Sequence, residues 1–389
     1  MNAINKNRFI HFTIILIIGS LLSACSEPYT ETQPTYNIYA KIAEYKKLSE
    51  QPWPAIDVKT PLEIGMQNTR IPEIRQRLYL LKDLSHMPDF SYYNKDQKYY
   101  FGQALFDAIR HFQSRHGIAS TGILDRNTLK ALNVTPAKRL AQILHSIEKW
   151  NKLPNGMGSH YVHVNVPSFD LNVIKEGKRT LSMKVVTGSP YRTTPELYSW
   201  IKSVVFNPTW TVPKSIIRRD IIPKLLKNPK LLPYENMKIY SAKNNYRSSI
   251  DPANINWRKA WRYGSSFRFV QSPGDNNALG RVKFIFPNNS RIYLHDTPQK
   301  SLFGLLSRAY SSGCIRLEKP LELAQYILQD EPGYDYQESE SHYESTKTRT
   351  IHLKKPIPIY ITYITAWVGA NGHIHFREDI YRRIKAVKN

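Results

Sequence analysis

The strongest constraint on the fold is a change of hydrophobic period near Gly156 and Gly158. Before it, apolar residues recur at helical spacing from Ile64 to Leu84 and from Leu105 to Leu132, with Leu105, Ile109 and Phe112 on one stripe. Gly117 stands where the second of these helices would end, and Asp125 precedes Thr128 and Leu129 as an N-cap. Leu140, Ile143, Leu144 and Ile147 continue the pattern as a helical connector over 136–156. After the glycines, Val162, Val164 and Val166 alternate with polar residues, as do Phe169, Leu171 and Val173. Such a period of two specifies strands, and Glu176-Gly177 supplies a hairpin turn. Further strand patterns at Met183 to Val186, Ile357 to Val368 and Gly372 to Phe376 bracket one β-rich domain, about 157–385. The chain therefore reads as a mixed α/β multidomain protein, as its 389 residues also suggest.

Inside the β-rich domain lies a stretch of different character. Ile216, Ile217, Ile221, Ile222, Leu225 and Leu226 have helical spacing, and Pro, Asn, Trp and Arg dominate the remainder to about residue 270. This reads as a helical insertion over about 214–270, placed as a lid, because long insertions are more often functional than idle. Residues 26–60, polar and punctuated by Pro34, Pro52 and Pro54, read as a tether, with partly helical spacing at Tyr36, Tyr39, Ile42 and Tyr45.

The first 24 residues run from Lys6 and Arg8 through an apolar stretch, Phe9 to Leu22, to small residues, the order of an export signal. Leu22-Ser23-Ala24-Cys25 resembles the lipobox of bacterial lipoproteins, which implies cleavage before Cys25 and acylation of its thiol. Ser26 in place of Asp favours outer-membrane sorting, so the resemblance places the protein in the periplasm on a lipid anchor. The chain has only one other cysteine, Cys314. An exported protein normally pairs its thiols, so a thiol left free there is kept for reactivity. A formal charge of +24 attracts anionic surfaces without choosing among them. No recognition helix, zinc-finger spacing or RNP-like motif is present, which argues against nucleic acid as a partner.

A thiol attacks a carbonyl as thiolate, so Cys314 needs a base and donors for the oxyanion. Gly313 immediately before it lets backbone N–H groups converge, and the N–H groups of Gly313 and Cys314, with that of Ser312, are the candidate oxyanion hole. His295, in Ile292-Tyr293-Leu294-His295-Asp296, is the candidate base among 12 histidines. On a strand Asp296 would point away from it, which leaves a backbone carbonyl as an equal candidate to orient the ring. Arg316 has the chemistry to hold a substrate carboxylate, and Tyr293, Trp210 and Trp367 are candidates to line a groove or to sit in the core. His373 and His375 share a strand face but lack a third ligand, so no metal site is expected.

Tyr293-Leu294-His295-Asp296-Thr297-Pro298 and Ser307-Arg308-Ala309-Tyr310-Ser311-Ser312-Gly313-Cys314-Ile315-Arg316-Leu317 resemble the signature of the L,D-transpeptidase catalytic domain. The large periplasmic members with an inserted capping subdomain are the nearest in pattern, and Asn207 to Pro213, Gly274 to Phe284 and Thr362 to Trp367 fit the same subgroup. Phe106 to Gly117 followed by Thr121-Gly122-Ile123-Leu124-Asp125 is similar to a small helical peptidoglycan-binding domain, covering about 61–135. The resemblance implies a cysteine acyltransferase acting on peptidoglycan stem peptides without a cofactor: Cys314 forms a thioester with a tetrapeptide stem, a second stem amine resolves it as a 3-3 cross-link, and carbapenems acylate the thiol. Hydrolysis as an L,D-carboxypeptidase, or a non-catalytic scaffold, are the rival readings. Much of the wider family has His where this chain has Ser312, and a serine hydroxyl is no base near neutral pH, so base work falls on His295.

Overall fold

The computed structural model describes residues 34–385 apart from 90–94, 155–156, 229–231, 233, 243–244 and 264–266. The export signal and Cys25 lie outside the described residues. Five helices come first: Pro34–Ser49 (α1), Ile71–Leu80 (α2), Gln103–Arg115 (α3), Arg126–Leu132 (α4) and Pro136–Asn151 (α5). The stripes Ile71, Ile74, Leu78 and Leu105, Ile109, Phe112 meet in one core with Leu124 and Leu132. Gly117 follows α3 in the left-handed region at φ 66°, and the Asp125 carboxylate caps α4 by accepting from Thr128 N at 2.7 Å. Both expectations hold.

The tether does not. Pro34–Ser49 is helical and docks on α5, burying Ile38, Tyr45 and Leu48 against Ile143 and Ile147. Ile56 then reaches the core of the α2–α4 bundle, and Ile56 N donates to Asn133 Oδ1 at 2.9 Å. The spacing of Ile38, Ile42 and Tyr45 already supplies a helical stripe. Only the facing helix makes that stripe worth burying.

The strands in order are His160–Asn165 (β1), Asp170–Lys175 (β2), Lys178–Gly188 (β3) and Leu197–Phe206 (β4). An inserted subdomain follows: Trp210–Thr211 (β5), Lys214–Ile216 (α6), a π turn Ile217–Ile221, Ile222–Lys227 (α7), Met237–Ser241 (β6), Ser249–Ile250 (β7), Trp257–Tyr263 (α8) and Phe267–Gln271 (β8). The chain returns through Val282–Ile285 (β9), Leu294–His295 (β10), Ala309–Ser311 (β11), Ile315–Leu317 (β12), Pro320–Leu328 (α9), Tyr336–Glu344 (α10) and Arg349–Thr362 (β13). It ends in a hairpin of Ala366–Val368 (β14) and Ile374–Phe376 (β15).

Nine strands form one sheet in the order β11-β3-β12-β10-β9-β4-β13-β1-β2, and β2 pairs back onto β3, so the sheet closes on itself. Closure removes most of the open edge that so many strands would expose. Alternation sends Val162, Val164, Leu171, Val173, Phe284, Leu294 and Ile315 into a shared core, which α9 joins through Leu323, Ile327 and Leu328.

Two expectations need correction. The insertion is not a helical lid but a mixed subdomain with a four-stranded sheet, β5-β8-β6-β7, and a core running from Trp210 to Leu279. Its strands are short, and no local signal fixes which of them pair. The β14–β15 hairpin does not extend the closed sheet. It packs Ala366, Val368, Ile374 and Phe376 on α1 and α5, tying the C-terminal segment to the helical part.

Candidate active site

Short strands and register build the site. Alternation in β9, β10 and β12 puts Val282, Phe284, Leu294, Ile315 and Leu317 inward, fully buried. The intervening residues Lys283, His295 and Arg316 therefore share the opposite face, and the pairings His295↔Lys283 and His295↔Arg316 set them in one row. Tyr293 and Cys314 stand one step along the same face, where Ile315 N donates to Tyr293 O at 3.2 Å. The inserted subdomain covers this face, since Tyr293 packs against its core.

Cys314 lies in the turn between β11 and β12, and the turn is tied internally. Ser311 Oγ accepts from Gly313 N at 3.1 Å and donates to Cys314 O. Gly313 has φ 113°, a backbone that only glycine adopts without strain. Thr194 Oγ1 donates to Gly313 O at 2.9 Å and accepts from Gly188 N at 2.8 Å. From the C-terminal segment, Tyr381 Oη donates to Gly188 O at 2.6 Å and accepts from Thr194 N at 3.1 Å. With its N–H held by Ser311 in the resting turn, Gly313 offers that donor to an incoming carbonyl only when the Ser311 contact gives way.

Burial pushes the Cys314 thiol up, while the backbone and hydroxyl of Tyr293 and the charges of Lys283 and Arg316 act to bring it down. Burial also raises the Tyr293 phenol, so it stays protonated and able to donate to sulfur. Lys283 Nζ sits 3.9 Å from the centre of the Tyr293 ring, and burial lowers its pKa. Burial and then Arg316 hold His295 down to about 3, so the imidazole is neutral near pH 7. Its Nδ1 faces the Asp296 carbonyl oxygen at 2.5 Å, and the Leu279 carbonyl faces the ring as well. A backbone carbonyl thus orients the ring, one of the two candidates the sequence left open. The Asp296 carboxylate turns away, accepting from Arg281 N at 2.9 Å, Thr297 N at 2.7 Å and Lys300 Nζ. Among the described residues no hydrogen bond joins His295 to the sulfur, which is engaged instead by the backbone and hydroxyl of Tyr293.

Arg316 donates from Nη1 to Gln299 Oε1 and leaves a buried Nε without a partner. Trp210 does not line a groove. It is buried in the core of the inserted subdomain, edge-on to Tyr234, and its contribution to the site is a hydrogen bond to the Tyr293 side chain. Trp367 and the pair His373 and His375 belong to the C-terminal hairpin, where Trp367 stacks on His375. Among the described residues no group of His, Cys, Asp and Glu is placed to hold a metal.

Three contributors escape motif reading. Lys283 is legible only through the register that sets it beside His295. Arg192 donates to Ser312 Oγ at 2.8 Å and to both Asp220 oxygens at 2.6 Å, linking the Cys314 turn to the π turn of the inserted subdomain. Tyr234, also in the inserted subdomain, lies within electrostatic reach of Arg316. No sequence spacing connects these residues to Cys314.

The L,D-transpeptidase catalytic-domain family, YkuD, matches residues 159–352, and a family described as "Putative peptidoglycan binding domain" matches residues 73–132. A Haemophilus influenzae protein named "Putative L,D-transpeptidase" is 37% identical over 220 residues, 57% of this chain and 44% of that protein, so the match spans less than half the relative's length. Among solved structures, an L,D-transpeptidase of Stackebrandtia nassauensis is 15% identical, with a TM-score of 0.27 over 78% of this chain and 96% of that one. One from Xylanimonas cellulosilytica is 12% identical, with a TM-score of 0.24 over 79% and 99%. At those scores the overlays add nothing to the sequence matches. Residues 159–352 thus form an L,D-transpeptidase catalytic domain of the YkuD family, preceded over residues 73–132 by a peptidoglycan-binding domain.

Proposed function

We propose that the protein forms 3-3 cross-links in peptidoglycan through a thioester on Cys314. The observation that carries this reading is the grouping of Cys314, Tyr293, His295, Lys283 and Arg316 on one face of β9, β10 and β12 beneath the inserted subdomain. The Cys314 thiol attacks the carbonyl of the third residue of a tetrapeptide stem while His295 accepts its proton. Collapse of the tetrahedral intermediate breaks the bond to the terminal D-alanine, and His295 protonates the departing amine. The side-chain amine of a second stem then attacks the thioester. His295 takes a proton from that amine and returns it to the thiolate, so the enzyme ends as it began.

Because Nδ1 of His295 faces the Asp296 carbonyl and no hydrogen bond joins the ring to the sulfur at rest, base work on sulfur requires the ring or the thiol to reorient. Leu279 belongs to the inserted subdomain, so its movement on substrate binding is the natural trigger. Arg316 holds a stem carboxylate through its unsatisfied Nε. Cys25 carries lipid and anchors the enzyme on the periplasmic side, on the outer membrane. The purified chain, incubated with tetrapeptide muropeptides and followed by mass spectrometry beside Cys314→Ala, tests the reading. Dimers support transfer, tripeptides alone indicate an L,D-carboxypeptidase, and activity surviving Cys314→Ala overturns the assignment.

A further inference from the structure

A second cavity, of about 380 Å3, lies where the helical part meets the closed sheet, and it shares no lining residue with the Cys314 site. Its walls come from α3, the end of α5, strands β1 to β3 and the C-terminal hairpin. The volume falls in the range of small-molecule sites, which occur preferentially at such junctions.

The lining is cationic. Arg115, Arg179 and Arg377 face it, and Asp170 is the one acid among the lining residues. Arg115 is matched by Asp83, with Nε donating to Oδ1 at 2.6 Å. Arg377 is different: its Nη1 donates to the carbonyls of Arg115 at 3.1 Å and Phe376 at 2.8 Å, and its guanidinium lies 4.7 Å from the centre of the Trp367 ring. No ion pair within 4 Å neutralises it among the described residues, and Asp170 acts on it from farther away. Burial lowers the Arg377 pKa to about 10, so the guanidinium would gain from an anion brought to it, whereas Asp170, whose carboxyl burial pushes up, takes an anionic neighbour only in its protonated form. Gly117 makes room for this arrangement, since a Cβ there would stand 2.8 Å from Arg377 Cδ.

Two further features point to the ligand. Asn172 Oδ1 is buried without a hydrogen-bond partner, an acceptor that lacks its donor. Trp150, partly buried at the end of α5, adds an aromatic surface of the kind that the C–H face of a sugar ring packs against.

We propose that this junction cavity is a second binding site, for a carboxylate-bearing N-acetylated sugar. The carboxylate meets Arg377, the acetamido N–H or a ring hydroxyl donates to Asn172 Oδ1, and the ring lies against Trp150. The choice of sugar rests on peptidoglycan being the substrate, as argued above. The site would hold glycan while Cys314 works on peptide.

N-acetylmuramic acid and N-acetylglucosamine differ only by the lactyl ether with its carboxylate, so they are the probes. Each is titrated into the full-length chain in detergent by saturation-transfer NMR, and Cys314 acylation by a carbapenem is measured in parallel. We expect N-acetylmuramic acid to bind at least tenfold more tightly. Arg377→Gln removes that preference, Asn172→Leu weakens both sugars about tenfold, and acylation of Cys314 keeps its rate in both variants. Failure of N-acetylmuramic acid to bind, equal affinities for the two sugars, or binding unchanged in Asn172→Leu overturns the site, including where Arg377→Gln does not fold. Selective sugar binding with no acylation would instead count against the catalytic reading and leave the site standing.

Discussion

Across the parallel strands β10 and β12, His295 stands opposite Arg316, not opposite Cys314. The candidate base and nucleophile are therefore diagonal neighbours on one sheet face, a spacing at which long side chains still meet. The first prediction follows from this geometry. Cys314→Ala should abolish the acyl-enzyme mass adduct altogether, whereas His295→Ala should leave a slow adduct, reduced by roughly 10²- to 10⁴-fold, the usual worth of general acid–base catalysis. Quenched-flow mass spectrometry with a tetrapeptide donor distinguishes the two. Equal adduct formation by wild type and His295→Ala would remove His295 from the mechanism.

The thiol should be slow to react until alkaline pH. Burial raises the Cys314 pKa, and Lys283 works against that rise. The rate of iodoacetamide alkylation should therefore climb through a midpoint above that of an ordinary cysteine. Lys283→Met should move the midpoint higher still. A midpoint shifted down by the substitution would show that Lys283 does not stabilise the thiolate.

Asp220 holds Arg192, and Arg192 holds Ser312 next to the proposed nucleophile, Cys314. The ion pair is about a third exposed on each side, so it contributes at most about 1 kcal/mol to stability. Asp220→Ala should accordingly change the melting temperature little. It should loosen the inserted subdomain from the nucleophile turn, admit water and raise the ratio of hydrolysed tripeptide to cross-linked dimer. An unchanged product ratio would mean that the link has no part in excluding water.

His163 in β1 is 6% exposed, faces Thr362 Oγ1 at 2.9 Å through Nε2, and is held by burial down to about 4. A histidine depressed in the folded state contributes stability that is complete above its unfolded pKa, near 6.5, and is lost as pH falls towards 4. The loss should be about 3 kcal/mol over that window, because each tenfold difference in proton affinity between the folded and unfolded chain is worth roughly 1.4 kcal/mol. Urea unfolding at pH 7 and pH 4 should show His163→Gln losing less stability on acidification than wild type. Parallel losses in the two proteins would assign the acid sensitivity elsewhere.

Phe376 joins the C-terminal hairpin to α1 through an edge contact with Tyr45, ring centres 5.5 Å apart. Phe376→Ala should cost about 3 to 5 kcal/mol of packing, as for other large-to-small core changes. Hydrogen exchange should then rise first in β14, β15 and α1 while the closed sheet stays protected. Uniform loss of protection would show that hairpin and sheet unfold as one unit.

Much of this molecule was legible residue by residue. The period of 3.6 before Gly156 and of two after it separated the helical part from the β-rich domain, and Gly117 and Asp125 marked real helix ends. Cys314 stood out as a candidate from a lone thiol after a glycine, a short-range pattern, whereas His295 was singled out among 12 histidines by the family resemblance and Tyr293 was left between groove and core. The sequence did not say that β2 returns to β3 to close the sheet, that the insertion carries its own four strands, or that Pro34–Ser49 is a docked helix. It also did not reveal that Lys283 and Arg316 flank His295, that Arg192 reaches both Asp220 and Ser312, or that Trp210 is core. The reason is physical. Periodicity is written along the chain by side-chain direction, but pairing, register and burial are set between segments far apart in sequence, where each stripe gains its free energy only from the partner it meets.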